Sequence, residues 1–265
     1  MMSRPLRIGI AGITGRMGHG LVASSLDAGF TVAAGTVRHS SDEKITDPRT
    51  GGIKISQNLQ DIVACVDVVI DFTHVSAVIS HARILADADV PWVLGTTGLT
   101  LPEQNAVDVA ALRIPVVQAA NFSAGVTLIT RLAREMGAVL SADKYDAEIV
   151  EMHHRQKVDA PSGTALAIGE AVAEGRGTTL SAVREPLREG LCGPRKTGAI
   201  GFASMRGGQI VGEHTLFFTS GTEQIELGHR AFDRRVFADG AVQAANWVVD
   251  RRPRLYSMDD VLGLA

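Results

Sequence analysis

The sequence predicts an α/β protein with an N-terminal Rossmann-type parallel sheet, followed by a second α+β domain built on a mixed sheet. Three observations lead to this fold class. Apolar runs alternate with amphipathic segments through residues 1–124, and a glycine-rich turn separates the first run from the first helix. From residue 198 onward, short alternating strands follow one another with glycine turns between them. The first pattern is typical of parallel sheets and the last of antiparallel or mixed sheets.

The first domain, residues 1–124, is predicted to bind a dinucleotide. Its expected elements come in strict alternation: strands at 6–11, 31–37, 66–72, 91–94 and 115–119, and helices ending near 28 and spanning 76–86 and 102–111. A polar connection is expected over 40–56. Strands that alternate with helices join through right-handed crossovers, so these strands are expected to lie parallel.

The second domain, residues 125–238, is predicted to bind substrate and to mediate oligomerisation. Its expected helices span 123–140 and 164–173. Its expected strands are one that begins at Glu148 and three over 200–206, 209–219 and 223–231. The C-terminal segment 239–265, with helices over 239–249 and near Met258, is expected to return to the first domain.

Composition excludes several classes of protein. The net charge of -3 argues against a partner that is a nucleic acid, because it leaves no excess of basic surface. Cys65 is expected in the core, and Cys192 has no metal-ligand neighbour in its glycine-rich loop, so neither a disulfide framework nor a zinc site is expected. No apolar run has the length of a membrane span or the features of a signal peptide, which predicts a cytoplasmic protein.

Gly12, Gly15 and Gly18 follow the first strand and open the first helix. In such a turn the backbone approaches a pyrophosphate closely, and the phosphate charge lies at the helix N-terminus. Arg16 adds a cation there. The alternative is an ordinary tight turn that packs a helix on a strand.

The end of the second strand indicates which cofactor is preferred. An NAD site places a carboxylate there for the ribose hydroxyls. This strand ends instead in Thr36-Val37-Arg38-His39-Ser40-Ser41, with no carboxylate before Asp42. Arg38, His39 and the two hydroxyls suit a 2′-phosphate, so NADPH is predicted to be preferred over NADH. A solvated surface loop is the alternative.

Two further loops follow strands of the first domain. They are Gly95-Thr96-Thr97-Gly98 and Ala120-Asn121-Phe122-Ser123. Ligands of parallel sheets bind at the carboxyl ends of the strands, so the two loops together predict a cofactor crevice.

The segment Glu148–Thr164 concentrates groups that suit a small anionic substrate. His153 and Lys157 are candidate proton donors. Ser162 is a candidate substrate-binding residue and also a candidate N-cap, whose helix would present Gly163 and Thr164 to a carboxylate. His153 and His154 point to opposite faces if they lie on a strand, and no third ligand follows at a suitable spacing, so no metal is expected. Five cations, each interpreted more readily as a surface cation, are also candidates to hold anionic groups: Arg195, Lys196, Arg206, Arg234 and Arg235.

Several of these motifs together resemble the dihydrodipicolinate (4-hydroxy-tetrahydrodipicolinate) reductase family. The resemblance covers almost the whole chain. It is carried by Ala11-Gly-x-x-Gly-Arg-Met-Gly18, Gly95-Thr-Thr-Gly98, Ala120-Asn-Phe-Ser123, Glu151-x-His-His-Arg-x-Lys-x-Asp-Ala-Pro-Ser-Gly-Thr-Ala165, Ile200-Gly-Phe202 and Ile210-Val-Gly-Glu-His214.

The resemblance implies an enzyme that uses NADPH or NADH to reduce a cyclic dicarboxylate to tetrahydrodipicolinate, on the diaminopimelate route to lysine. It implies that His153 donates and accepts the proton, that Lys157 is a second donor, and that His154, Gly163 and Thr164 bind substrate. It implies a homotetramer formed through the sheet of the second domain. The residues expected to contact the dinucleotide are Gly12, Ile13, Thr14, Gly15, Arg16, Met17, Gly95, Thr96, Thr97, Ala120, Asn121, Phe122 and Ser123.

One position departs from the family's pattern. Many members carry a glutamate just before the arginine that ends the second strand, and this chain has Val37 before Arg38. The difference strengthens the prediction of NADPH. Two other readings stay open on the residues alone, namely another two-domain NAD(P) oxidoreductase such as an amino-acid dehydrogenase, and a nucleotide sensor without turnover.

Overall fold

The structure is a computed structural model that describes residues 4–38, 49, 52–185 and 188–264. The strands are β1 (Arg7–Ala11), β2 (Thr31–Thr36), β3 (Lys54–Ser56), β4 (Val68–Asp71), β5 (Trp92–Leu94), β6 (Pro115–Gln118), β7 (Asp146–His153), β8 (Ile200–Arg206), β9 (Gly212–Thr219), β10 (Gln224–Ala231) and β11 (Arg254–Tyr256). The α-helices are α1 (Arg16–Asp27), α2 (Val78–Asp87), α3 (Leu101–Ala111), α4 (Ala124–Val139), α5 (Gly163–Gly175), α6 (Leu180–Val183), α7 (Arg235–Val248) and α8 (Met258–Leu262).

The chain divides into two compact units. One contains Met1–Ala124 together with Arg235–Ala265, and the other contains Gly125–Arg234. The C-terminal helices α7 and α8 therefore belong to the same unit as the N-terminal strands.

The first unit is built on a seven-stranded sheet in the order β11-β6-β5-β4-β1-β2-β3, with every pair parallel. One hydrophobic core lies between the sheet and α1, α7 and α8, and a second lies against α2 and α3. Because both faces are covered, the central strands are continuous apolar runs such as Val68-Val-Ile70, which are fully buried. The predicted Rossmann-type sheet is confirmed.

Three local features of this unit differ from the expectations. Part of the predicted polar connection forms the edge strand β3, which pairs with β2, and the chain near its end forms β11, which pairs with β6. Cys65 lies in a 3₁₀ helix, Val63–Cys65, and is half-buried rather than fully in the core. Short edge strands are difficult to predict because pairing to a neighbour, and not the local sequence, stabilises them.

The second unit has a four-stranded sheet in the order β10-β9-β7-β8. β7 pairs parallel with β8 and antiparallel with β9, so the predicted mixed sheet is confirmed. Alternate residues of β7, beginning with Ala147 and Ile149, are fully buried against a core that includes α5. Among the described residues, no helix combines the length and apolar character needed to cross a membrane.

Candidate active site

The buried face of β7 changes from apolar to ionisable at its carboxyl end. Ala147 and Ile149 are followed on the same face by Glu151, which is 0 % exposed, and His153, which is 9 % exposed. Residues two apart on a strand share a face, so the two side chains meet. Nδ1 of His153 lies 2.6 Å from Oε2 of Glu151.

Arg206 binds the same carboxylate from the neighbouring strand. Its Nη2 donates to Oε1 of Glu151 at 2.7 Å, and its Nη1 donates to Oε2 at 2.9 Å. The parallel register of β7 and β8, which sets Arg206 opposite His153, makes this two-bond contact possible. The same guanidinium donates to the carbonyl of Asp159 at 2.7 Å, so it also anchors the loop that follows β7.

These contacts determine the charge of Glu151. Burial opposes its ionisation, but hydrogen bonds from Arg206, Ser204 and His153, together with the positive charge of Arg206, hold its pKa at about 2. Burial also lowers the pKa of His153, and the contact with Glu151 offsets only part of that effect. A fixed carboxylate therefore lies beside a titratable imidazole.

Ser162 begins α5 as its N-cap, as predicted, and its Oγ accepts from the N–H of Ala165 at 3.2 Å. The N–H of Ser162 donates to Oε1 of Glu151 at 3.2 Å. Gly163, the first helical residue, is exposed, and a side chain added there would meet nothing within 4 Å. Gly163 therefore opens onto accessible space, one residue after the N–H that Glu151 binds.

His214 completes this cluster from β9. Its Nε2 hydrogen-bonds Ser162 Oγ at 2.9 Å, and its ring packs edge-on against His153 with 5.1 Å between centroids. Burial is the main reason why the pKa of His214 falls to about 4. This histidine is therefore neutral at physiological pH.

The loop after β7 carries the other predicted polar residues. Nζ of Lys157 donates to both carboxylate oxygens of Asp159, at 2.7 and 2.9 Å. This hydrogen bond is the main cause of a lowered pKa for Asp159. Nε2 of His154 lies 3.1 Å from Nη2 of Arg234.

The structure brings His153, Ser162 and Gly163 into one cluster and adds three residues that the sequence did not place in it. These are Glu151, Arg206 and His214. Arg206 is not the surface cation that was expected. A signal for Glu151 was present, because a carboxylate on the apolar face of an alternating strand requires a buried partner.

The predicted cofactor residues lie in the first unit at the carboxyl edge of the parallel sheet. The glycine turn follows β1, Arg38 follows β2, and the loops that begin at Gly95 and Ala120 follow β5 and β6. The strand order reverses direction at β1 and β4, which is where dinucleotides bind in such sheets. Arg38 is exposed, and the predicted neighbours His39, Ser40 and Ser41 lie outside the described residues.

The glycine turn is packed tightly against the start of α1. Gly12 has φ of 71°, which is left-handed, and a Cβ on Gly18 would lie 2.2 Å from the carbonyl oxygen of Ile13. Helix α1 begins after Gly15 with neither a side-chain cap nor an acidic residue in its first turn. Its N-terminus is therefore suited to receive an anion.

The predicted cofactor residues are not equally accessible. Thr97 and Ala120 are exposed, as are Gly15 and Arg16. Ile13 is buried in the core, and its N–H donates to the carbonyl of Thr36 at 2.9 Å. The remaining predicted residues are half-buried or buried: Gly12, Thr14, Met17, Gly95, Thr96, Asn121, Phe122 and Ser123.

Asp71, at the end of β4, hydrogen-bonds side chains and loops at the carboxyl edge of the parallel sheet. It is fully buried, and its carboxylate accepts from the N–H of Thr73 at 2.9 Å and lies 2.7 Å from Nδ1 of His81. Thr96 Oγ1 in turn donates to the carbonyl of Thr73 at 2.9 Å. The loops after β4 and β5 are thereby joined. In the part of the chain that the structure describes, no group of three or more His, Cys, Asp or Glu side chains is arranged to hold a metal ion.

Two family models match consecutive parts of the chain. One is described as "Dihydrodipicolinate reductase, N-terminus" and matches residues 6–122, and the other as "Dihydrodipicolinate reductase, C-terminus" and matches residues 125–262. The chain is also 56% identical over 264 residues to 4-hydroxy-tetrahydrodipicolinate reductase of Gluconacetobacter diazotrophicus, with 100% of each chain covered.

Solved structures agree with the family models. A dipicolinate-bound dihydrodipicolinate reductase from Paenisporosarcina sp. TG-14 superimposes with a TM-score of 0.79 at 25% identity, covering 96% of this chain and 97% of that one. An amine dehydrogenase from Mycobacterium smegmatis has a TM-score of 0.63 at 12% identity, with 96% of this chain and 95% of that one covered, which shows a common fold alone. The resemblance inferred from the motifs is confirmed, and the chain belongs to the dihydrodipicolinate reductase family.

Proposed function

We propose that this chain is an NAD(P)H-dependent reductase that converts 4-hydroxy-tetrahydrodipicolinate to tetrahydrodipicolinate in the diaminopimelate pathway of lysine biosynthesis. The observation that carries the proposal is the juxtaposition of the His153 imidazole with the start of α5. It places an imidazole, which can give up and take up a proton, beside a helix N-terminus that attracts a carboxylate. A reductase of a cyclic dicarboxylate needs both.

The overall reaction assigns a task to the protein's own residues. The substrate loses its hydroxyl as water and gains one hydride and one proton, so the site has to bind two carboxylates and deliver a proton. NAD(P)H, when bound, supplies the hydride. His153 delivers the proton, and Lys157 is the second donor, held in place by its ion pair with Asp159.

We assign the two substrate carboxylates to the start of α5 and to the basic groups near it. Gly163 and Thr164 form the first turn of the helix, where N–H groups and the helix dipole favour an anion. His154 and Lys157 add donors from the loop after β7. The structural relative from Paenisporosarcina has dipicolinate, a planar dicarboxylate, bound to it.

Ser162 was predicted to bind substrate, and its contacts support a different role. Its N–H donates to Glu151, and its hydroxyl is shared between Ala165 and His214. We therefore propose that Ser162 positions the start of the helix, while its two neighbours contact the carboxylate.

For the cofactor, we propose that NADPH is preferred over NADH. The pyrophosphate is assigned to the turn Gly12–Met17, including Arg16, and the nicotinamide end to the loops Gly95–Thr97 and Ala120–Ser123. Arg38 is exposed directly after β2, where Val37 replaces the carboxylate that an NAD ribose needs. An exposed guanidinium at this position suits a 2′-phosphate.

The expected homotetramer also remains a proposal, with the outer face of the second unit's sheet as its interface. Met205 on this face is 57 % exposed, although it lies within a strand. Burying such side chains favours association of like sheets. Light scattering on the purified protein tests the stoichiometry. We also propose that the protein is cytoplasmic, because the proposed reaction consumes the cell's NAD(P)H.

The decisive experiment follows NADPH absorbance with freshly synthesised 4-hydroxy-tetrahydrodipicolinate. The proposal expects oxidation of NADPH that depends on this substrate, with tetrahydrodipicolinate as product. Turnover only with an amino acid would indicate an amino-acid dehydrogenase. Tight NADPH binding without turnover would indicate a nucleotide sensor.

A further inference from the structure

Glu151 has no part in the reaction as proposed above, yet it makes the shortest contact of His153 in the cluster. Its carboxylate is completely buried, and Oε2 lies 2.6 Å from Nδ1 of the imidazole. A buried carboxylate is costly unless it is paired and hydrogen-bonded. Apolar packing on the face of β7 does not require a charge at this position, since Ala147 and Ile149 fill the equivalent places before it.

Partners on three sides hold Glu151 in its ionised form. Arg206 contributes two hydrogen bonds, Ser162 one through its N–H, and Ser204 one through its side chain. Together they keep the pKa of Glu151 at about 2, although burial opposes its ionisation. Glu151 is therefore an acceptor alone throughout the physiological pH range.

An acceptor at Nδ1 determines where the proton of the neutral imidazole lies. A carboxylate cannot donate, so Nδ1 of His153 carries the hydrogen and Nε2 carries the lone pair. Among the described residues, none hydrogen-bonds Nε2. Gly212 lies beside this nitrogen, and a Cβ at that position would be 3.0 Å from it. Glycine at 212 therefore leaves the approach to Nε2 uncrowded.

We propose that Glu151 is a positioning residue that fixes His153 in its Nδ1–H tautomer and makes Nε2 the atom that exchanges the proton with substrate. Arg206 supports this role by keeping Glu151 ionised and held in one orientation. The inference rests on the proposed function of His153 as proton donor. Its test separates the two claims, because the tautomer is observable without turnover.

The charges that face His153 determine the sign of the pH effect. Glu151 raises the pKa of His153, whereas burial, Lys157 and Arg206 lower it. His214, packed against the ring, is neutral above about pH 5 because its own pKa is about 4. Removing the negative charge of Glu151 therefore lowers the pKa of His153 further, and the protonated donor is lost at a lower pH.

The experiment compares Glu151→Gln with a matched control, Glu148→Gln. Glu148 is an ion-paired carboxylate on the opposite face of the same strand, bound by Arg188 and Arg195 and not by His153. A double variant, Glu151→Gln with Arg206→Met, removes both buried charges and keeps the test valid if the single variant folds poorly. The readouts are the pH profile of kcat, the KM, and ¹⁵N NMR of histidine-labelled full-length protein, with His153→Asn used to assign the signal.

We expect both Glu151 variants to lower kcat by roughly 10- to 10⁴-fold, because loss of the carboxylate that orients a histidine costs about 10- to 100-fold at metal sites and about 10⁴-fold in a catalytic triad. We expect KM to change little and the alkaline limb of the pH profile of kcat to move to lower pH. In the NMR spectrum, the signal of the Nδ1–H tautomer of His153 should be replaced by signals of both tautomers. The control should stay within about twofold of the unaltered enzyme in kcat, the effect expected away from such features.

An unchanged tautomer and an unchanged alkaline limb in the Glu151 variants would overturn the inference. A loss of kcat with no shift in the limb would also overturn it, because general damage to the fold does not move a pKa. If His153→Asn itself retained turnover, the proposed role of His153 would fail, while the NMR signal would still report whether Glu151 selects the tautomer.

Discussion

The hydroxyl of Ser162 lies 2.9 Å from Nε2 of His214, and the two side chains are only 2 % and 4 % exposed. One contact thus joins the start of α5 to the third strand of the site. Ser162 also caps the helix through the N–H of Ala165. A single buried hydroxyl therefore holds the N–H groups of the first turn in register with the histidine cluster.

Replacing Ser162 by alanine should lower the free energy of unfolding by about 1–3 kcal/mol, since both an N-cap and the partner of a buried imidazole nitrogen are lost. Ser162→Thr keeps the hydroxyl and is the control. Urea unfolding of the three proteins measures the difference. Equal stability of the alanine and threonine variants would contradict the capping role.

Acid should destabilise the protein from near neutrality downward. Burial lowers the pKa of His214 to about 4, from an ordinary value of 6.5. Because the folded value is the lower one, the unfolded chain takes up a proton first, and stability is lost as the pH falls from about 6.5 to 4. Glu151, with a pKa of about 2 against an ordinary 4.5, adds a further loss between about pH 4.5 and 2.

Unfolding free energies at pH 7 and pH 5 measure the first of these effects. His214→Gln, which cannot take up the proton, should lose less stability between the two pH values than the unaltered protein. An identical loss in both would show that His214 is not the group responsible.

The proposed preference for NADPH depends on Arg38. Arg38→Ala should raise the KM for NADPH by about 10- to 100-fold and leave that for NADH nearly unchanged, since a charge-assisted contact contributes about 1.5–3 kcal/mol. Arg16→Ala is the matched control, because Arg16 is assigned to the pyrophosphate that both cofactors share. A clear preference of the unaltered enzyme for NADH would contradict the assignment.

The proposed cofactor site can also be tested by adding a side chain to the glycine turn. A Cβ on Gly18 would lie 2.2 Å from a backbone oxygen, so Gly18→Ala should destabilise the first unit by about 2 kcal/mol or more and weaken binding of both cofactors. Gly221→Ala is the control, because a side chain there meets nothing within 4 Å. Thermal unfolding and cofactor titration provide the measurements. Unaltered NADPH affinity in Gly18→Ala would contradict the placement of the pyrophosphate.

Local patterns predicted those parts of the fold and site that depend on neighbours in sequence. The alternation of strands and helices, the glycine turn and the N-cap at Ser162 are of this kind. Arg206 and His214 were given no role in the cluster because their partner residues, Glu151 and Ser162, lie 55 and 52 positions away, on elements that only the sheet register brings together. Their roles depend on β7 lying between β8 and β9, which the sequence did not specify.

The central claim is that His153 and Lys157 deliver the proton for a reduction by NADPH. It is tested most directly by the rate of NADPH oxidation with 4-hydroxy-tetrahydrodipicolinate in the variant that carries His153→Ala and Lys157→Ala together. We expect kcat to fall by about 10²- to 10⁴-fold, the contribution of general acid catalysis, while the Kd for NADPH is unchanged. A turnover rate within a few fold of the unaltered enzyme would contradict it.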